Sequence, residues 1–160
     1  MRHATAGAND RPERSADEDP PLTPDGMTKA RAAARGLAVL EIEASAFLTS
    51  PLLRAAQTAE IVSQVLVIPG DQIRRTDALK PESPPGQLME ELMRLDDEEV
   101  LCVGHSPQLD DVISHLLGCR VRVTALKKTA VACLELDSSS PPRGVLLWLY
   151  PQKVLRHLGK

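Results

Sequence analysis

Aromatic side chains are nearly missing from this sequence, whose 160 residues include one Phe, one Trp and one Tyr. That scarcity leaves no stock of stacking platforms for nucleobases and obliges the core to be aliphatic. Cysteine is sparse and odd in number. Cys102, Cys119 and Cys133 have neither the paired spacing of a zinc site nor a redox motif, which points to a reducing compartment. Cys102, set in an apolar run, reads as a buried and inert thiol. No apolar stretch nears the roughly 20 residues needed to cross a bilayer, and no secretory apolar region opens the chain. A cytoplasmic protein without membrane attachment is therefore expected. An excess of positive charge is lacking as well. With a net charge of -3 the chain is a poor candidate for a general nucleic-acid binder, because affinity for a polyanion comes from clustered cations. No metal-ligand spacing occurs, so neither a metal nor a cofactor is expected.

What is present suits one globular domain over residues 1–160, with 42% hydrophobic and 26% charged residues. The stretch from about Ala8 to Pro21 is rich in charge and proline and reads as an exposed loop. Thr23-Pro24-Asp25-Gly26 then opens a helix, with Thr23 as cap and Pro24 in the first turn, that should stop at Gly36. Phe47-Leu48-Thr49 is a short apolar strand. Ser50-Pro51 after it predicts a second cap, and Leu52 to Leu66 has helical spacing with Arg54 in its first turn. A strand is a candidate within Gly70 to Leu79, and a helix from about Gln87 to Leu95. Glu99 to Val103 is a buried strand, followed by Gly104-His105-Ser106-Pro107 and a helix from Gln108 to Leu117 closed by Gly118. Ala130 to Leu136 and Gly144 to Tyr150 alternate as an antiparallel pair. The expected class is α/β: a three-layer, open, mostly parallel sheet with helices on both faces and a C-terminal antiparallel hairpin at its edge.

Three stretches would meet at the strand ends of such a sheet: Arg2-His3, Ser50-Pro51-Leu52-Leu53-Arg54, and Val103-Gly104-His105-Ser106-Pro107. Open α/β folds bind anions there, against helix N-termini. Two arginines and two histidines at that point would make a phosphate pocket. Each residue alone has an ordinary alternative. His3 could be an inert terminal residue, Arg54 a surface ion-pair partner, and His105 a turn residue bonded to the helix start. Their joint occurrence after separate apolar runs favours a common site. His115 and His157 have no place in the pattern and are expected to be solvated.

The ordered pieces Arg2-His3-Ala4, Pro21-Leu22-Thr23-Pro24-Asp25-Gly26, Ser50 to Ala59 and Val103 to Pro107 resemble the histidine phosphatase superfamily, of phosphoglycerate mutase-like fold. The short length, the Leu126-Lys127-Lys128 step and the absence of a large inserted cap are most similar to its SixA-like phosphohistidine phosphatases. The resemblance implies a nucleophile at His3 that carries the phosphoryl group covalently, with Arg2, Arg54 and His105 as the clamp, the last as an imidazolium. Splitting one displacement into two and stabilising charge on the equatorial oxygens would supply the catalysis without a metal. It also implies an acidic proton donor downstream of the second arginine, for which Glu82 is the candidate. A phosphohistidine on a partner protein is the first-choice substrate, since a leaving imidazole can be protonated near neutral pH. A small phosphate ester or phosphoanhydride is the alternative, and a phosphoprotein-binding module without turnover is the rival from another class.

Two departures from the family pattern stand out. The family has a buried strand directly before its Arg-His pair, whereas here Met1 alone precedes Arg2. That implies a truncated N-terminal strand and a chain less stable or less active than one extended by about six apolar residues. SixA-like members also tend to show Asp-x-x-Arg-Pro-Leu-Thr where this chain has Asp17-Glu18-Asp19-Pro20-Pro21-Leu22-Thr23. A basic substrate contact is thus absent, and Arg11 or Arg14 is the candidate to replace it.

Overall fold

A computed structural model describes residues 1–7 and 19–160 apart from Ser138 and Ser140. Arg11 and Arg14 lie outside the described residues. Helix α1, Pro24–Val39, begins with the Thr23 hydroxyl accepting from the Gly26 amide, and proline occupies its first turn. It does not stop at Gly36. A Cβ there would fall 2.2 Å from the Leu155 carbonyl oxygen of a C-terminal helix, α5, Gln152–Leu158, so Gly36 serves close helix packing and not a cap.

Strand β1, Ala46–Thr49, is buried along its length and leads to helix α2, Leu53–Leu66. Strand β2 is only Ile73–Arg75, between 3-10 turns at Gly70–Gln72 and Asp77–Leu79. Helix α3, Pro85–Leu92, strand β3, Val100–Val103, and helix α4, Gln108–Leu116, follow, and then strands β4, Val131–Leu136, and β5, Gly144–Tyr150.

The expected α/β class holds. Parallel strands run in the order β2-β1-β3, and β4 and β5 form an antiparallel pair. Alternation along β1 divides the core into two. Phe47 packs with α1, α2 and α5 residues such as Leu37, Val62 and Leu155, while Leu48 packs with Leu88 of α3 and Val112 and Ile113 of α4. Helices therefore cover both faces.

The parallel sheet and the hairpin are linked by the first three residues. Met1 accepts from the Gly104 amide, the His3 amide donates to Gly104, and the Arg2 amide donates to Ala130 while its carbonyl accepts from Thr129. His3 is thus held between β3 and the approach to β4 by main-chain bonds on both sides.

Candidate active site

His3 and His105 are buried, 3% and 2% exposed, and their ring centroids lie 4.8 Å apart. His3 Nδ1 is 2.7 Å from the Ala4 carbonyl oxygen. A carbonyl only accepts, so the proton is assigned to Nδ1 and the lone pair to Nε2. Lys128 Nζ donates toward that lone pair at 3.2 Å. Ala4 is fixed in turn, its amide donating to the Thr58 hydroxyl at 3.0 Å, which itself donates to the Arg54 carbonyl at 2.7 Å.

His105 follows β3, and its Nε2 is hydrogen-bonded to Ser50 Oγ at 3.0 Å. Ser50 was expected to cap α2. Its hydroxyl instead joins His105 and accepts a longer bond, 3.3 Å, from the Leu52 amide. Helix α2 starts at Leu53 without a side-chain bond from its N-cap residue, Leu52. The Leu53 amide donates to Asp19 Oδ2 at 2.5 Å, and Arg54 Nη1 to Asp19 Oδ1 at 3.1 Å. A carboxylate thus sits at a helix N-terminus beside an arginine, the setting that suits an oxyanion.

Arg2 Nη1 donates to the Leu126 carbonyl at 2.7 Å. Asp110, buried at the start of α4, accepts from the Leu126 amide and the Thr124 hydroxyl, both at 2.8 Å. The loop segment before β4 that receives Arg2 is therefore tied to the helix that follows His105.

Burial above all, then Lys128 and His105, holds His3 well below the usual imidazole range. His105 is pushed down to about 3 by burial first and then by Arg54, Lys128 and Arg2. These shifts favour the neutral form of both rings, whereas the resemblance implied an imidazolium at His105. Crowded cations and low solvation penalise another positive charge until an anion offsets them.

Arg2, His3, Arg54 and His105 come together as the sequence suggests. Glu82 does not join them. It is exposed in the turn after Lys80, and among the described residues no hydrogen bond or ion pair links it to either histidine. His115 and His157 are exposed. Lys128 and Asp19 are the residues that sequence reasoning missed. The Leu126-Lys127-Lys128 step was the only signal for Lys128, and Asp19 is one acid among several. Among the described residues, no group of three or more His, Cys, Asp or Glu could hold a metal ion.

A family model for the histidine phosphatase superfamily (branch 1) matches residues 1–80. An uncharacterized protein of Picosynechococcus is 36% identical over 114 residues, 69% of this chain and 67% of that protein. Among solved structures, the protein histidine phosphatase SixA complexed with tungstate has a TM-score of 0.85 and 27% identity, covering 97% of this chain and 96% of that one. Mycobacterial glucosyl-3-phosphoglycerate phosphatase with inorganic phosphate reaches 0.72 at 17% identity, with 96% of each chain covered. Phosphoserine phosphatase from Entamoeba histolytica in complex with 3-phosphoglyceric acid reaches 0.71 at 18%, with the same coverage. The last two likenesses concern the fold alone.

Proposed function

Because the chain belongs to the histidine phosphatase superfamily and is similar to its SixA-like members, we propose that it is a metal-independent phosphatase acting through His3 on a protein phosphohistidine. The observation that carries this is the orientation of one ring: Nδ1 is committed to Ala4, so Nε2 keeps a lone pair beside Lys128 and His105. In the first step the bond from phosphorus to the leaving imidazole breaks as one forms to His3 Nε2, and the leaving nitrogen takes a proton from solvent. Water then attacks, the His3–phosphorus bond breaks, inorganic phosphate departs and the imidazole regains its lone pair. Lys128 moves from the nitrogen it caps to a phosphoryl oxygen. Arg2, Arg54 and His105 hold the others, charge stabilisation being the main work in such transfers.

The position of Glu82 supports phosphohistidine over an ester. An alkoxide needs a strong donor at hand, and among the described residues no carboxylate is bonded to His3 or His105; a departing imidazole has less need of one. The three free thiols fit a reducing, cytoplasmic setting.

Phosphate release from phosphohistidine proteins, small phosphate esters and an aryl phosphate, with His3→Ala as control, tests the proposal. Release should be fastest from phosphohistidine and fall by at least about 10³-fold in the variant. Faster turnover of a small ester would move the assignment to that substrate. Phosphoprotein binding without release would identify a binding module.

A further inference from the structure

A carboxylate stands at the mouth of the histidine pocket. Asp19 Oδ2 accepts from the Leu53 amide at 2.5 Å and Asp19 Oδ1 from Arg54 Nη1 at 3.1 Å, so its two oxygens take one donor each. Exposure rises along this line: His3 and His105 are 3% and 2% exposed, the Arg54 side chain 16% and that of Asp19 35%. The guanidinium therefore has neighbours at two depths. On its inner side it reaches the rings, where, after burial, it is the foremost influence on His105 and a lesser one on His3. On its outer side it holds Asp19.

Asp19 is fixed through its own chain as well. Pro20 and Pro21 follow it, each with φ locked by its ring. The Pro21 carbonyl accepts from the Gly7 amide at 3.0 Å, and the Leu22 amide donates to Gln57 Oε1 on α2 at 2.8 Å. The carboxylate is thereby tied to the helix that carries Arg54. Its acceptor capacity is not exhausted, since a carboxylate has about four lone-pair sites and each oxygen takes one donor from α2. The exposed part of the side chain leaves room for a further donor. The pocket is thus polarised, with Arg2, Arg54 and Lys128 around the rings and a negative charge at the rim.

We infer that Asp19 is a specificity-determining residue: it selects substrates that present a cation beside the phosphoryl group, a lysine or arginine flanking the phosphohistidine, and turns away those with a carboxylate there. This rests on the phosphatase reading of the site and names which substrates that site prefers. The reach follows from the shared guanidinium. A phosphoryl oxygen on one nitrogen of Arg54 and the Asp19 carboxylate on another are roughly 4–6 Å apart across the same planar fork. Side chains flanking the phosphorylated residue then come within about 6–8 Å of the carboxylate. At that range, changing a neighbour from anion to cation alters binding about five- to tenfold at low ionic strength, even with water-like screening. The substrate cation has a second effect. As the phosphoryl oxygens draw on Arg54, the bond to Asp19 weakens, and the incoming lysine or arginine gives the carboxylate a new partner.

The test uses the full chain and two phosphohistidine peptides that differ only in the residues flanking the phosphohistidine, lysine in one and glutamate in the other. At low salt the lysine peptide should have the higher kcat/KM by about five- to tenfold, mostly through KM. The ratio should fall toward one in high salt. Asp19→Asn should reduce it to less than about twofold, and Asp19→Glu should keep most of it. A carboxylate that merely held Arg54 in place would change both peptides by the same factor. The inference is overturned by equal kcat/KM for the two peptides in the unaltered chain, by a preference for glutamate, or by a ratio that Asp19→Asn leaves as it was. If Asp19→Asn does not fold, the ratio in the unaltered chain and its salt dependence decide. A pair of aryl phosphates, one carrying a quaternary ammonium and one a carboxylate, separates this inference from the phosphohistidine assignment. No release from either peptide, with the ammonium ester favoured in an Asp19-dependent way, would overturn that assignment and leave the selection of cations standing. Release from both peptides at equal rates would do the reverse. With no release from any substrate, the same ratios are read from dissociation constants.

Discussion

Along the facing edges of β3 and β4 the molecule shows two different states. At the histidine end Met1, Arg2 and His3 are bonded to β3 on one side and to Thr129 and Ala130 on the other. Toward Leu136, away from the histidines, β4 becomes exposed. The buried end, bonded on both sides, is the one that holds the two imidazoles. His3 is fixed by three residues of pairing plus side-chain supports from α2 and the start of α4.

Substitutions at the well-packed end should therefore affect chemistry, and the sharpest contrast should come from Lys128→Ala. It removes a cation 3.2 Å from Nε2, and phosphate release should fall by about 10²-fold with little change in thermal stability. His3 should titrate at a higher pH in that variant, since Lys128 is second only to burial in holding it down; an NMR titration of the ring measures this. Asp110→Ala should do the opposite. It strips acceptors from the Leu126 amide and the Thr124 hydroxyl at about 1–3 kcal/mol for each group left buried and unbonded. Urea unfolding should show that loss, with release reduced less than in Lys128→Ala because Arg2 is affected only through Leu126. A variant of unchanged stability would mean that water replaces the carboxylate there.

Acidity probes the same end. The folded-state pKa values of His3 and His105 lie below the free imidazole value of about 6.5. The unfolded chain then binds more protons as pH falls, so stability is full above about 6.5 and declines below it, by up to about 1.4 kcal/mol per pH unit for each histidine. Urea midpoints at pH 7.5, 6 and 5 should show this decline, and tungstate or phosphate should reduce it by letting the site accept protons. A midpoint independent of pH would refute two neutral buried rings. Asp19→Asn has the smallest expected effect. It removes a negative charge that competes for Arg54 and the Leu53 amide, and tungstate should bind a few-fold more tightly by calorimetry.

The sequence revealed those parts of the fold where a local signal and the tertiary role coincide. β1 and β3 are apolar runs broken by a polar turn, and α2 and α4 follow them with clear helical spacing. Helix α5 escaped notice because its support is tertiary: Leu155 is buried against α1, where Gly36 leaves room. That docking also carried α1 past the glycine expected to end it. At the site, Arg54 and His105 were readable from the repeated strand-then-turn pattern, and Arg2 and His3 from the family motif they resemble. Lys128 was not assigned a role, since its reach to His3 depends on the turn at Thr129, which takes a left-handed backbone with φ of 58°. Ser50 was misread as a cap because both roles begin with a serine after a strand, and only the position of His105 separates them. Glu82 had the right chemistry in the right region, and it is exposed in a turn with no bond to either histidine among the described residues.

The Thr58 hydroxyl gives the pocket a mechanical property. It accepts from Ala4, whose carbonyl holds the His3 ring, and donates to the carbonyl of Arg54 one turn earlier on the same helix. The attacking nitrogen and the first guanidinium are thereby geared to a single helical turn, whose pitch is set by backbone hydrogen bonds. A shift of α2 against the sheet would carry both groups together as one tool, keeping their mutual spacing while it changes their aim.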